Sequence, residues 1–364
     1  MNKKMTVNFF NHPNQTIPHV YIKQWGNTIH LDKFKQIIIL PFEYGYYCFD
    51  KPILVRQPVT LSKAYYGEFN RLPFDKNKNT YNFNTTSLVK PQPRLSKQEY
   101  LNTVNSIKKH IKLGDIYEIN FCFDFYIENI TINPYLLFER LFELSEAPFS
   151  ALIKLDETYL IISSPERYLQ KIGNTLLSQP MKGTRKLTND AEVNNAIIQE
   201  LKNNFKEQNE NVMIVDLVRN DLSRIAEKNS VKVNELFGVY AFNTVAQMIS
   251  TISCSLKKNT TLHDILYYTF PMGSMTGAPK PKSLELINQY EHTPRGYYSG
   301  TIGFEDDKGN FDLCVVIRSV VYNERLKHLT FHVGSAITNL CNPEEEYNEC
   351  LIKAENMIKA IYDK

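Results

Sequence analysis

Along the first ninety or so residues, short apolar runs such as "IIILPF" (37–42) alternate with Pro, Asn and Gly. That rhythm predicts strands and loops. The polar stretch 74–94, with two prolines near its end, reads as a long loop or linker. The pattern then changes. Ser96 and Glu99 have the spacing of a capping box, in which each side chain satisfies an orphan backbone N–H of the other residue. Tyr100, Leu101, Val104, Ile107 and Ile111 follow at helical spacing, and Gly114 ends the run. In "IYEINFCFDF" (116–125) the period drops to two. Tyr117, Ile119, Phe121, Phe123 and Phe125 form an apolar face, and Glu118, Asn120, Cys122 and Asp124 a polar one. That polar face would allow Glu118 to be solvated. Further strands are predicted at 150–155, 158–164 and, as one run, 311–322. Helices are predicted at 191–211, 261–268, 280–290 and 343–361. Without strict βαβ alternation, this order implies an α+β fold with large, mostly antiparallel sheets. Residues 1–95 read as a strand-and-loop region packed on, or continuous with, a unit over 96–364.

The length of 364 residues suffices for a sizeable buried core. A net charge of +3 without a basic run interleaved with aromatics argues against nucleic acid and acidic membranes as partners. No apolar run is long enough to span a bilayer, and the N-terminal stretch lacks the apolar core of a signal peptide. The six cysteines, Cys48, Cys122, Cys254, Cys314, Cys341 and Cys350, form no C-x-x-C pair. They are expected to be reduced, packed thiols of a cytoplasmic protein.

Four groupings carry candidate chemistry. Glu207 and Glu210, near the end of the helix predicted at 191–211, and Glu346 and Glu349, early in another, are each three apart. Each pair therefore shares a helix face. Two such faces meeting would suit Mg²⁺, which takes few carboxylates plus water and substrate oxygens; singly, each pair reads as a solvated face. The loop "FPMGSMTGAPK" (270–280) places Gly273, Ser274, Thr276 and Gly277 ahead of a helix, where backbone N–H groups can meet an anion. Arg318 stands alone in an apolar strand and needs a partner, either a protein carboxylate or a substrate carboxylate. Lys182, held in a bend by Pro180 and Gly183, follows Glu166 by sixteen residues. An amine and an acid near one substrate can serve as nucleophile and general acid. Alternatively, Lys182 is a solvated turn lysine and Glu166 a loop glutamate paired with Arg167.

In order, "SPERY", "QPMKGTR", "NENVMIVDLVRNDLSRIA", "FPMGSMTGAPKPKSLELI", "GYYSGTIGF", "CVVIRS" and "EEEYNECLIKA" resemble the motifs of the chorismate-utilising enzymes. The resemblance covers roughly 96–361, and residues 1–95 match weakly. It implies two large β-sheets packed together, helices outside, and a site between them. It also implies that Glu210 and Glu349 ligate Mg²⁺ with Glu207 and Glu346 in support. Further implied contacts to substrate are Thr276, the backbone of Gly277 and Ala278, Lys353, Tyr298, Arg318 and the backbone of a loop at Gly334 in "GSAI" (334–337). Glu166 takes the place of the acid that protonates the departing C4 hydroxyl. Lys182 stands where the C4-aminating members carry a nucleophilic lysine and the anthranilate, isochorismate and salicylate synthases carry alanine. That role needs a neutral amine, which burial and neighbouring cations favour. Glu118 replaces a usual glutamine or lysine, and Gln247 a usual histidine; Gln247 can still hydrogen-bond a hydroxyl. The resemblance thus implies amination of chorismate with ammonia from a class I glutamine amidotransferase partner. The alternatives are an anthranilate synthase component or a catalytically impaired chorismate-binding paralogue.

Overall fold

A computed structural model of the chain describes residues 18–26, 33–48, 64–71, 89–242 and 245–362. Most of the predicted linker at 74–94 lies outside them; within it, Gln92–Pro93 pairs with Tyr126 and Phe125.

Among the described residues the strands form two sheets, and all the pairings are antiparallel except one between His19–Trp25 and Asn70–Arg71. The first sheet runs Glu118–Ile127, His328–Ile337, Val320–Asn323, Thr158–Ser164, Phe149–Leu155, His19–Trp25. The second runs Met181–Lys186, Val245–Ser255, Thr175–Ser178, Arg167–Ile172, Phe311–Val315, Thr301–Asp306, Phe34–Leu40. The N-terminal strands His19–Trp25 and Phe34–Leu40 thus belong to different sheets. Between the sheets lies a core of Val20, Ile153 and Leu160 from the first with Ile37, Ile39, Ile302 and Phe304 from the second. Helices Lys97–Lys112, Pro134–Ser145 and Pro343–Tyr362 cover the outer face of the first sheet through Tyr100, Val104, Phe138 and Ala354. Helix Phe205–Ile225 packs on the second through Ile214, Val218 and Leu222. This is the expected α+β architecture of packed antiparallel sheets with helices outside.

The locally signalled elements form as predicted. Both halves of the Ser96–Glu99 capping box are made, and helix Lys280–Tyr290 has the predicted bounds. Two long runs break instead. The helix predicted at 191–211 is two, Ala191–Asn203 and Phe205–Ile225, parted by an extended Asn204 whose side chain accepts from the Glu207 N–H. A short polar side chain competes with the helix and caps the next one. Glu207 and Glu210 therefore open a helix, where the dipole favours carboxylates. The strand predicted at 311–322 is also two. Phe311–Val315 belongs to the second sheet and Val320–Asn323 to the first, and the chain crosses between them at a left-handed Arg318 with φ +52°.

Candidate active site

Strand Glu118–Ile127 explains how the fold makes a polar interior. Its apolar face packs under the helices through Ile119, Phe121, Phe123 and Phe125. The opposite face is buried too, with Glu118 1%, Asn120 8% and Asp124 3% exposed. Glu118 is thus not solvated, because the second sheet closes over that face.

Lys182 faces it. The residue lies on strand Met181–Lys186, opposite Met248, and not on a bend. The bend signal came from Gly183, which forms a bulge in that pairing with φ +69°. A Cβ at Gly183 would come within 2.8 Å of Leu201 and 3.0 Å of Glu207, so glycine lets the two helices approach beside Lys182. The Lys182 amine lies 2.7 Å from Glu118 Oε1 and 3.7 Å from Glu210 Oε2, with its side chain 10% exposed. Burial works to lower its pKa, but the carboxylates of Glu118 and Glu210 more than reverse that and hold the amine protonated. The neutral amine expected from burial is therefore not the resting state.

Glu166 lies between strands Thr158–Ser164 and Arg167–Ile172 and is 4% exposed. It does not pair with Arg167, which instead clasps Asp312 at 2.8 and 3.0 Å. Glu166 accepts from Ser274 Oγ at 2.8 Å. Burial pushes its pKa up to about 7, against the opposing pull of Ser274 and Lys182. A carboxyl poised there can donate a proton near neutrality.

The two acidic pairs meet the same centre. Glu210, 7% exposed, is pushed up to about 7 by burial, with Lys182 opposing. Lys206 reaches Glu346 at 3.0 Å and also feels Glu210 and Glu349. Lys353 binds Glu349 at 2.6 Å and the Gly334 carbonyl at 2.8 Å. Burial works to raise the Glu349 pKa, but Lys353, Lys206 and Lys182 bring it below its usual value. Glu207 turns to Arg185 at 3.1 Å. Among the described residues no three acidic, His or Cys groups form a preformed metal cage. The donors are all oxygens, so Glu210 and Glu349 fit a hard cation that takes one or two carboxylates and completes its shell with water and substrate, and such a cation would take over charge that Lys182 and Lys353 now neutralise.

Arg318 has no hydrogen bond or ion pair among the described residues; burial lowers its pKa, while Tyr298 and Glu349 raise it. Tyr298 is 7% exposed and stacks on His332 at 5.1 Å. A guanidinium without a partner among the described residues, set beside a tyrosine, has donors available to a carboxylate.

Other candidates are engaged within the fold. The Thr276 hydroxyl donates to the Met272 carbonyl at 2.8 Å and its N–H to Gly273. Gly277–Ala278 pairs with Ile119 and Glu118 as a short strand, so the loop is not the open anion cradle its composition suggested. "GSAI" is no loop either, since Gly334 to Ile337 pair with Cys122 to Ile119 inside strand His328–Ile337. Gln247 is 4% exposed, opposite Thr184, and its Oε1 has no hydrogen-bond partner among the described residues. Sequence reasoning passed over Lys206, Asn211 and Asn120. Asn211 accepts from Ser250 at 2.6 Å and keeps a buried Nδ2 that has no partner among the described residues. Asn120 donates to the Ser274 carbonyl at 3.1 Å. The sequence signal for Asn120 was its place on the polar face of the strand; Lys206 and Asn211 had none.

Known proteins bear on this geometry. The aminodeoxychorismate synthase of Arabidopsis thaliana, a chloroplastic protein, is 37% identical over 274 residues, which is 74% of this chain and 30% of that one. Component 1 of the Salmonella typhimurium aminodeoxychorismate synthase is 34% identical, over 73% of this chain and 58% of its own length. The chain thus spans between about a third and three-fifths of these curated relatives. Anthranilate synthase component I from Streptococcus pneumoniae superposes with a TM-score of 0.77 at 20% identity, covering 92% of this chain and 83% of that one. The family profile of chorismate binding enzymes matches residues 49–359, well ahead of residue 96 where the quoted motifs begin. A match of that extent, over two sheets that enclose a buried lysine, an acid poised near neutrality and paired carboxylates, makes the chain a member of the chorismate binding enzyme family.

Proposed function

We propose that this chain aminates chorismate at C4 to give 4-amino-4-deoxychorismate, on the way to para-aminobenzoate. The observation that carries the reading is Lys182, a buried amine 2.7 Å from Glu118 and within electrostatic reach of Glu166. A merely solvated lysine would not be enclosed in this way. The curated relatives named aminodeoxychorismate synthases support the same branch.

Arg318 and Tyr298 take one substrate carboxylate. Glu210 and Glu349 would hold Mg²⁺, which when bound supplies positive charge for the ring carboxylate. Glu118 is the acceptor within reach of the Lys182 ammonium proton. The neutral Lys182 amine forms a bond to C2, the ring double bond shifts, and the C4–O bond breaks. Glu166 supplies the proton with which the hydroxyl leaves as water. Ammonia then bonds to C4, the double bond returns, and the C2–N bond breaks to release Lys182. The new ammonium returns one proton to Glu166, and Lys182 takes its own back from Glu118. The sum is chorismate plus ammonia to product plus water.

The ammonia comes from a separate glutamine amidotransferase. All six cysteines are free and buried, and burial pushes the thiols up, Cys122 and Cys350 to about 12. Such thiols make poor nucleophiles. Incubation with chorismate, Mg²⁺ and ammonium, followed by mass identification of the product, tests the reading. Anthranilate as the product would overturn it.

A further inference from the structure

Beside the short helix Phe42–Tyr47 and the segment 287–295 lies a cavity of about 300 Å³ that includes none of the residues assigned above. Phe42, Glu43, Tyr46, Glu291, His292 and Arg295 line it. Glu43 is 2% exposed; one carboxylate oxygen accepts from the Gly296 N–H at 3.0 Å, and the other has no hydrogen-bond partner among the described residues. Arg295, held by Glu291 through bonds of 2.9 and 2.6 Å, draws the Glu43 carboxyl down electrostatically but makes no side-chain hydrogen bond to that oxygen. Among the described residues, one carboxylate oxygen of Glu43 is thus left without a hydrogen-bond donor at the wall of this pocket. Burial pushes its carboxyl up to about 7, so a substantial fraction is ionised near neutrality.

A buried acceptor without a donor wants a cation with N–H groups. The Tyr46 ring suits an ammonium as well, whereas the Phe42 ring already carries the Arg295 guanidinium at 4.3 Å. A divalent metal would ask for about six oxygens, and an anion would meet the wrong charge. The volume is at the lower end for small-molecule sites. We propose that this cavity binds an N–H cation, ammonium or a protonated primary amine, whose N–H groups donate to Glu43. Its wall reaches the catalytic centre. Arg295 also donates to the carbonyls of Met275 at 2.6 Å and Asn120 at 2.8 Å. Asn120 in turn holds the Ser274 carbonyl, and Ser274 donates to Glu166. The occupant is either ammonium itself, queued for the amination, or an organic amine acting as an effector.

The test needs no chorismate, so it stands apart from the proposed reaction. Calorimetry and thermal shift on the full chain would compare ammonium, methylammonium and 2-phenylethylamine chlorides with sodium and tetramethylammonium chlorides at equal ionic strength. At least one N–H cation is expected to bind saturably, and Glu43→Gln to weaken it tenfold or more. Binding of ammonium and methylammonium alone assigns the inorganic source, and stronger binding of phenylethylamine the organic one. Equal response to sodium or tetramethylammonium, or undiminished binding by Glu43→Gln, overturns the proposal. Should that variant not fold, nuclear Overhauser contacts from the methylammonium methyl to the Phe42 and Tyr46 rings decide the matter in the wild type, and their absence overturns it.

Discussion

Replacing Lys182 by alanine removes more than a nucleophile. Glu118 is 1% and Glu210 7% exposed, and Lys182 is the cation that touches both. An amine on a bend would have been dispensable for folding, but breaking a buried pair typically costs about 3–5 kcal/mol. At about 2.1 cal/mol/K per residue, a chain of 364 residues has an unfolding entropy of about 0.76 kcal/mol/K. The melting temperature should therefore fall by about 4–7 °C. Adding Glu118→Gln removes the stranded charge and should recover most of that loss. Urea unfolding of both single variants and the double variant gives the coupling energy, expected at about 2 kcal/mol or more. The same proteins separate folding from chemistry. The double variant should be nearly as stable as wild type yet lose amination by more than about a hundredfold. If Lys182→Ala costs less than about 1 kcal/mol and Glu118→Gln changes nothing, the pair is not the buried contact described. If the double variant aminates chorismate at near wild-type rate, Lys182 is not the nucleophile.

Glu166→Gln should lower turnover by about 10²–10⁴-fold. It should also change stability with a defined sign. The Glu166 carboxyl is raised in the folded state to about 7, so wild type loses stability as pH rises from about 4.5 to 7. The variant escapes that loss, and its advantage in denaturant titrations at pH 8 should reach up to about 3 kcal/mol; equal pH slopes would contradict the burial argument. Glu210→Gln and Glu349→Gln should each abolish turnover and the Mg²⁺-dependent part of chorismate binding; full wild-type activity under complete chelation would remove the metal from the scheme. Purified chain should release no glutamate from glutamine, and ammonium alone should support turnover; glutaminase activity in this chain would refute the need for a partner.

What the sequence disclosed followed the range of the interaction. The Ser96–Glu99 box and the helix at 280–290 are decided within a few residues, and both form as read. Asn204 was overlooked because its neighbours keep helical periodicity on both sides, and only the capping bond to Glu207 shows the break. In the run at 311–322 only Asp312, Arg318 and Ser319 interrupt the apolar residues, and the Arg–Ser pair does not by itself tell that the two halves belong to different sheets. Glu118 was misread for the same reason: alternation separates two faces of a strand but does not say whether a second sheet covers the polar one. The convergence of Lys182, Glu118, Glu210 and Glu349 was accessible only through a resemblance. The lysines that neutralise the acids were visible as residues but not as partners.

The crossing at Arg318 also fixes what the molecule can do mechanically. From Val315 in one sheet to Val320 in the other is five peptide steps, which reach at most about 18 Å. Packed sheets already stand about 10 Å apart, and the left-handed turn consumes much of the remainder. The crossover is thus a short tether between the two slabs, with an arginine mounted on it. The gap cannot widen to admit a bulkier ring without pulling that arginine out of place. Adaptation to ligand size must therefore come from helices Phe205–Ile225 and Pro343–Tyr362, which carry the paired glutamates, while the slabs act as a rigid gauge.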